Sequence, residues 1–84
     1  MAEIVMYGAD WCGDCRRAKR VLEQLGLGIT YLDVEHDPAL VDEARRIGRS
    51  NRIPVVILPD GNVLVEPTDP ELLAALAPVL AAER

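Results

Sequence analysis

Apolar and polar positions alternate in a way that divides the chain into seven segments. Residues 3–7, EIVMY, form a short apolar run that stops at Gly8 and reads as a strand buried on both faces, and therefore central in its sheet. From Gly13 to Leu25 the apolar positions Cys15, Ala18, Val21, Leu22 and Leu25 recur at helical spacing. Arg16, Arg17, Lys19, Arg20 and Glu23 occupy the opposite side, and Gly26 is the stop. Residues 29–34, ITYLDV, alternate and carry Ile, Thr, Tyr and Val, side chains that suit a pleated strand. A second helix is expected where Asp37 can cap and Pro38 can fill the first turn, with Leu40, Val41, Ala44 and Ile47 as its buried stripe and Gly48 near its end. VVIL at 55–58 and VLV at 63–65 flank Pro59-Asp60-Gly61-Asn62, whose Asp-Gly pair is a hairpin signal, so these two strands are expected to be antiparallel neighbours. The last helix has two rival starts, a Thr68-x-x-Glu71 capping box or an Asp69 cap followed by Pro70. Its expected buried positions are Leu72, Leu73, Leu76 and Leu80. Pro78 is expected to kink or end it near Ala77, because proline lacks an N–H and crowds the preceding turn.

The resulting order is β-α-β-α-β-β-α, and a right-handed crossover makes the first two strands parallel neighbours. The expected fold is α/β, a thioredoxin-like fold with a four-stranded mixed sheet and helices on both faces. Composition agrees. With 84 residues, half of them apolar and 27% charged, the chain suits a single domain over 1–84. Its apolar runs are far shorter than the roughly 18 residues of a membrane-spanning helix. The start, MAEIVMYGAD, has an acid at Glu3 and no basic segment before an apolar stretch, so a secretory signal is not expected and a cytoplasmic location is. A net charge of −5 argues against nucleic acid or an anionic membrane as partner. The cations are nevertheless clustered: Arg16, Arg17, Lys19 and Arg20, then Arg45, Arg46, Arg49 and Arg52, with only Arg84 beyond.

Both cysteines of the chain lie in ADWCGDC, where the first strand gives way to the first helix. Unpaired backbone N–H groups and the positive end of the helix dipole favour the thiolate at Cys12, and the thiolate is the nucleophilic form. Cys15, one turn on, is placed to attack a disulfide formed at Cys12. A stapling role fits poorly, because a bridge between such neighbours closes a very short loop and cytosolic thiols are kept reduced. Zinc needs four ligands, and the only other plausible soft donor is His36, in a segment expected to leave the second strand as a solvated loop. No metal is therefore expected within one chain, although two chains sharing a site or cluster would supply the set.

With Cys12-Gly13-Asp14-Cys15 opening a helix, Ile53-Pro54 before the third strand and Pro67-Thr68-Asp69 before the last helix, nearly the whole chain resembles the glutaredoxin family. Its short length, YGADWCGDC and RIPVVILPDGNVLVEPTDPEL are most similar to the mycoredoxin-like branch. The resemblance implies a thiol–disulfide oxidoreductase that reduces mixed disulfides between proteins and a low-molecular-weight thiol. That thiol is a co-substrate, no cofactor is tightly bound, a flavoprotein disulfide reductase system stands upstream, and the protein is a monomer. It implies Cys12 as the attacking and Cys15 as the resolving cysteine. It also implies that Pro54 is a cis-proline facing the disulfide, and that the Ile53 backbone pairs with the bound substrate. Thr68 and Asp69, with the N-terminus of the last helix, would hold a polar or anionic end of the small thiol. Trp11 beside the nucleophile reads as a wall of the substrate groove. Gly13, Arg16 and Arg52 complete the expected thiol-binding set, the arginines meeting a carboxylate if they converge. Gly13-Asp14 replaces the family's usual Pro-Tyr, and Val65-Glu66-Pro67 stands where a Gly-Gly stretch is common, which leaves glutathione, mycothiol and bacillithiol all open. The alternatives are a dithiol electron carrier reduced directly by a flavoprotein reductase, and a non-catalytic thioredoxin-fold module holding a metal or an iron–sulfur cluster.

Overall fold

A computed structural model describes residues 3–82; Arg84 and the ends of the expected 1–84 domain lie outside the described residues. The elements follow in the order β1 (Ile4–Gly8), α1 (Gly13–Gln24), β2 (Ile29–Asp33), α2 (Pro38–Gly48), β3 (Val55–Ile57), β4 (Val63–Val65) and α3 (Asp69–Ala82). The strands lie side by side as β2-β1-β3-β4, so β1 is central, as its unbroken apolar run predicts. It pairs parallel with β2 from Ile4 opposite Ile29 to Gly8 opposite Asp33, and antiparallel with β3, where Met6 stands opposite Val56. The β3–β4 hairpin turns at Gly61, whose φ of 92° is open to a residue without a Cβ, and the Leu58 N–H donates to the Asn62 carbonyl at 2.9 Å. This is the thioredoxin-like fold.

Alternating residues of β1 feed two cores. Ile4 and Met6 join Cys15, Ala18 and Leu22 of α1 and Leu72, Leu76 and Val79 of α3 on one face. Tyr7 joins Val34, Ala44 of α2 and Val55 on the other. Each fully buried leucine contributes about 1.5–3 kcal/mol. The side carrying α1 and α3 is thus the one that fixes the cysteine helix.

The helix ends are local chemistry. Asp37 accepts from the N–H groups of Ala39 and Leu40, as a cap should. The choice at α3 goes to the capping box: the Thr68 N–H donates to Glu71 Oε1 at 2.8 Å, and the Glu71 N–H donates to Thr68 Oγ1 at 3.2 Å. Gly26, at φ 72°, ends α1. α2 runs through Gly48, and the left-handed residue after it is Arg49, at φ 54°. Gly48 is instead required by packing, since a Cβ there would stand 3.1 Å from Cγ2 of both Val55 and Val65.

Three expectations are corrected. α3 does not stop near Ala77 but continues through Pro78 to Ala82. Pro78 and Ala74 are both exposed, so water can serve the Ala74 carbonyl that proline leaves without a donor. Leu73 is 46% exposed and Leu80 only partly buried, while Val79 takes the buried place. The cause is a helix apolar almost all round, whose neighbours Leu72–Leu73 and Val79–Leu80 leave the inward phase undefined. Leu25, 39% exposed, lies just past α1, where the chain has left the helical face. Among the described residues no helix is long and apolar enough to cross a membrane.

Candidate active site

The site begins where β1 ends. After Gly8 the chain turns, the Cys12 N–H donates to the Ala9 carbonyl at 3.1 Å, and Cys12 takes an extended conformation as the N-cap of α1. Its Sγ accepts the Cys15 N–H at 3.2 Å, the place a serine or aspartate oxygen fills in most helices. A sulfur in that position receives a backbone donor and the helix dipole together. Cys12 is partly exposed, Cys15 wholly buried, and both are free thiols. Burial, then the hydrogen bond and charge shared with Cys12, push the Cys15 thiol up to about 12, opposed by a backbone hydrogen bond at Ala9. Cys15 therefore stays protonated at neutral pH, whereas Cys12 is open to solvent. Gly8 makes this packing possible: a Cβ there would stand 3.1 Å from Cys15 Sγ and 3.2 Å from its Cβ.

The remaining site residues fall into two groups. Trp11, 64% exposed, and Ile53 line one cavity of about 180 Å³ together with Val41, Arg45, Ser50 and Arg52. The Ile53–Pro54 peptide is cis, Pro54 is buried, and its carbonyl accepts the Glu66 N–H at 2.9 Å. The neighbours of Cys12 and of Pro54 thus share one wall. Arg52 donates to Glu66 Oε1 at 2.9 Å, and Arg16 donates to the Asp10 carbonyl at 2.6 Å. Cations therefore converge here from the second cluster, as Arg45 and Arg52, while Arg16 is held by its own loop. Gly13 is exposed in the first turn of α1.

The second group joins α1 to the start of α3. Arg17, absent from the site expected on sequence, donates from Nε to Asp69 Oδ1 at 3.0 Å, from Nη2 to the Pro67 carbonyl at 2.8 Å and from Nη1 to Asp14 Oδ1 at 3.3 Å. Asp14, three residues before it, was the visible part of this network. The partners at 67 and 69 were not, since nothing local marks a contact across fifty residues. Asp69 is thereby engaged, and the N–H and hydroxyl of Thr68 are both used by Glu71. Glu66, just before Pro67, adopts φ 47°, a left-handed conformation that glycine takes more readily.

A sequence model of the glutaredoxin family matches residues 4–64. The chain belongs to the glutaredoxin family. It is accordingly a thiol–disulfide oxidoreductase. Two relatives that carry a glutaredoxin name, Rv3198A and MT3292 from two strains of Mycobacterium tuberculosis, are each 30% identical over 79 residues. The match covers 93% of this chain and 94% of each relative. Among solved structures, a glutaredoxin from Archaeoglobus fulgidus superposes with a TM-score of 0.80 at 23% identity, covering 92% of this chain and 88% of that one. A glutathione transferase homologue from Sulfitobacter, solved with bound glutathione, superposes with a TM-score of 0.71 at 18% identity, covering 98% of this chain and 39% of that one. These last two likenesses show the fold.

Proposed function

We propose that this glutaredoxin reduces mixed disulfides between proteins and a neutral, sugar-based thiol of the mycothiol type, in the cytoplasm and as a monomer, with Cys12 as the nucleophile. The observation that supports it is the asymmetry of the two sulfurs: one capping a helix at the surface, the other buried and held protonated. The Cys12 thiolate attacks the small-thiol sulfur of the mixed disulfide, that S–S bond breaks, and the protein sulfur leaves with the electron pair and takes a proton. A second small thiolate then attacks the adduct and releases Cys12 as thiolate. The disulfide of the small thiol so formed is the substrate of a flavoprotein reductase.

The choice of thiol rests on the start of α3. A helix N-terminus ordinarily attracts an anion through its free N–H groups. Here Pro70 has none, the Thr68 and Glu71 N–H groups are spent on the capping box, and the carboxylates of Asp69 and Glu71 occupy the first turn. The cation at this place, Arg17, is already shared among Asp69, Asp14 and the Pro67 carbonyl, so a further anion, such as a carboxylate of glutathione or bacillithiol, meets the two carboxylates without a free guanidinium to receive it. Sugar hydroxyls can donate to carboxylates and suit the same surface. The test is incubation of the oxidised protein with mycothiol, bacillithiol and glutathione separately, read by intact mass. An adduct at Cys12 with mycothiol in preference to the others is expected. Preference for glutathione would contradict the choice of thiol, and absence of any adduct would favour a dithiol carrier reduced directly by a flavoprotein.

A further inference from the structure

Resolution of a Cys12 adduct by Cys15 meets a proton problem. Cys15 must lose a proton to attack, or accept one when the Cys12–Cys15 disulfide is opened, and it is fully buried. We infer that Tyr31 solves it: its phenol hydroxyl hydrogen-bonds the Cys15 sulfur whenever that sulfur carries negative charge and relays the proton to solvent. This rests on the thiol–disulfide reading above and concerns the step in which Cys15, in place of a second small thiol, releases the Cys12 adduct.

Tyr31 lies on β2 opposite Met6, on the face that carries Cys15. Its hydroxyl and Cys15 Sγ are each 3.1 Å from the point where Gly8 would carry a Cβ, and so within twice that distance of each other. Absence of a side chain at Gly8 is what lets sulfur and oxygen approach one backbone position. Tyr31 is only partly buried, so its side chain is in contact with water as well as with the core. No hydrogen bond occupies its hydroxyl among the described residues, which leaves its proton available. The Lys19 ammonium stands 4.6 Å above the ring centroid, and a cation on that face draws charge from the ring and strengthens the phenol as a donor. The charged and titratable groups facing Tyr31 are Cys15, Cys12, Asp10, Asp33 and Lys19; those facing Cys15 are Cys12, Asp14 and Tyr31. Burial first, then the charge on Cys15, raises Tyr31 to about 12, so the phenol holds its proton at neutral pH and has it to donate.

In the resolving step Cys15 Sγ bonds to Cys12 Sγ, the bond from Cys12 to the small thiol breaks, and the small thiol leaves with the electron pair. The Cys15 proton passes to Tyr31 as the phenol proton passes to water. The step needs no outside oxidant, because the mixed disulfide is consumed.

5,5′-Dithiobis(2-nitrobenzoic acid) separates the two steps without any natural thiol. Cys12 attack releases a first thionitrobenzoate, and Cys15 attack releases a second. Tyr31→Phe keeps the ring and its contact with Lys19 but removes the hydroxyl. The first release should be unchanged, and the second should slow roughly 10- to 100-fold, the range for losing a hydrogen bond to a charged group. Lys19→Met should slow only the second, by less. An unchanged second release in Tyr31→Phe overturns the inference, as does slowing of both releases together, the result of a disturbed fold. A first release equally absent from the parent protein would overturn the thiol–disulfide reading itself.

Discussion

Cys12 and Cys15 are one side chain in two environments a single helical turn apart, and the difference is measurable without any substrate. The folded protein holds Cys15 up from 9.0 to about 12 through burial, so the thiol contributes stability that is fully present below about 9. That contribution is lost as pH rises toward 12, by about 1.4 kcal/mol per unit. Urea unfolding of the reduced protein should show steeper alkaline loss than Cys15→Ser, since Tyr7, also raised, is common to the two and Tyr31 loses in the variant the part of its rise that the Cys15 charge supplies. Parallel curves would contradict the burial account. Gly8→Ala is the complementary test. Its methyl meets a fully buried sulfur that has nowhere to withdraw, which should cost about 1–3 kcal/mol and slow closure of the Cys12–Cys15 disulfide. Unaltered stability would mean that the sulfur is free to move. The place of the two cysteines at a strand-to-helix junction was legible from their spacing, and the cis bond at Pro54 was legible through the family resemblance. Gly8 and Tyr31 were not, because a missing methyl group acquires meaning only once strand and helix are packed together.

At the scale of elements, the hairpin, the α2 cap and the capping box of α3 were legible because their chemistry is local. The inward face of α3 was not, since an almost wholly apolar helix has no polar side to exclude. The clamp between α1 and α3 was equally hidden, because Arg17 reads as a solvated helix residue until Pro67 and Asp69 arrive. Arg17→Gln should cost about 1 kcal/mol, chiefly through the carbonyl bond at Pro67, as ion pairs this exposed contribute little. It should raise KM for a mixed disulfide while leaving kcat nearly unchanged, since it displaces the start of α3 and not the cysteines. A fall in kcat at constant KM would contradict that assignment. Thr68→Ala should cost about 1 kcal/mol by thermal unfolding, through loss of the cap. An unchanged melting temperature would mean that the turn is held by Arg17 alone.

Across the whole molecule, a central strand feeding two cores sets Cys12 at one end of the sheet. The cysteine helix is fixed on the face it shares with α3, and the wall of Trp11, Ile53 and Arg52 is built from the β1–α1 loop, α2 and the loop before β3. The chemistry therefore depends on which sulfur the fold leaves accessible. That claim is tested most directly by turnover of a protein carrying a small-thiol mixed disulfide, with only the small thiol and its reductase supplied. Cys15→Ser should retain much of the activity, because a second small thiol can release the Cys12 adduct, and Cys12→Ser should have none. Activity in Cys12→Ser with none in Cys15→Ser would contradict the assignment of the nucleophile, and equal loss in both would show a dithiol carrier instead.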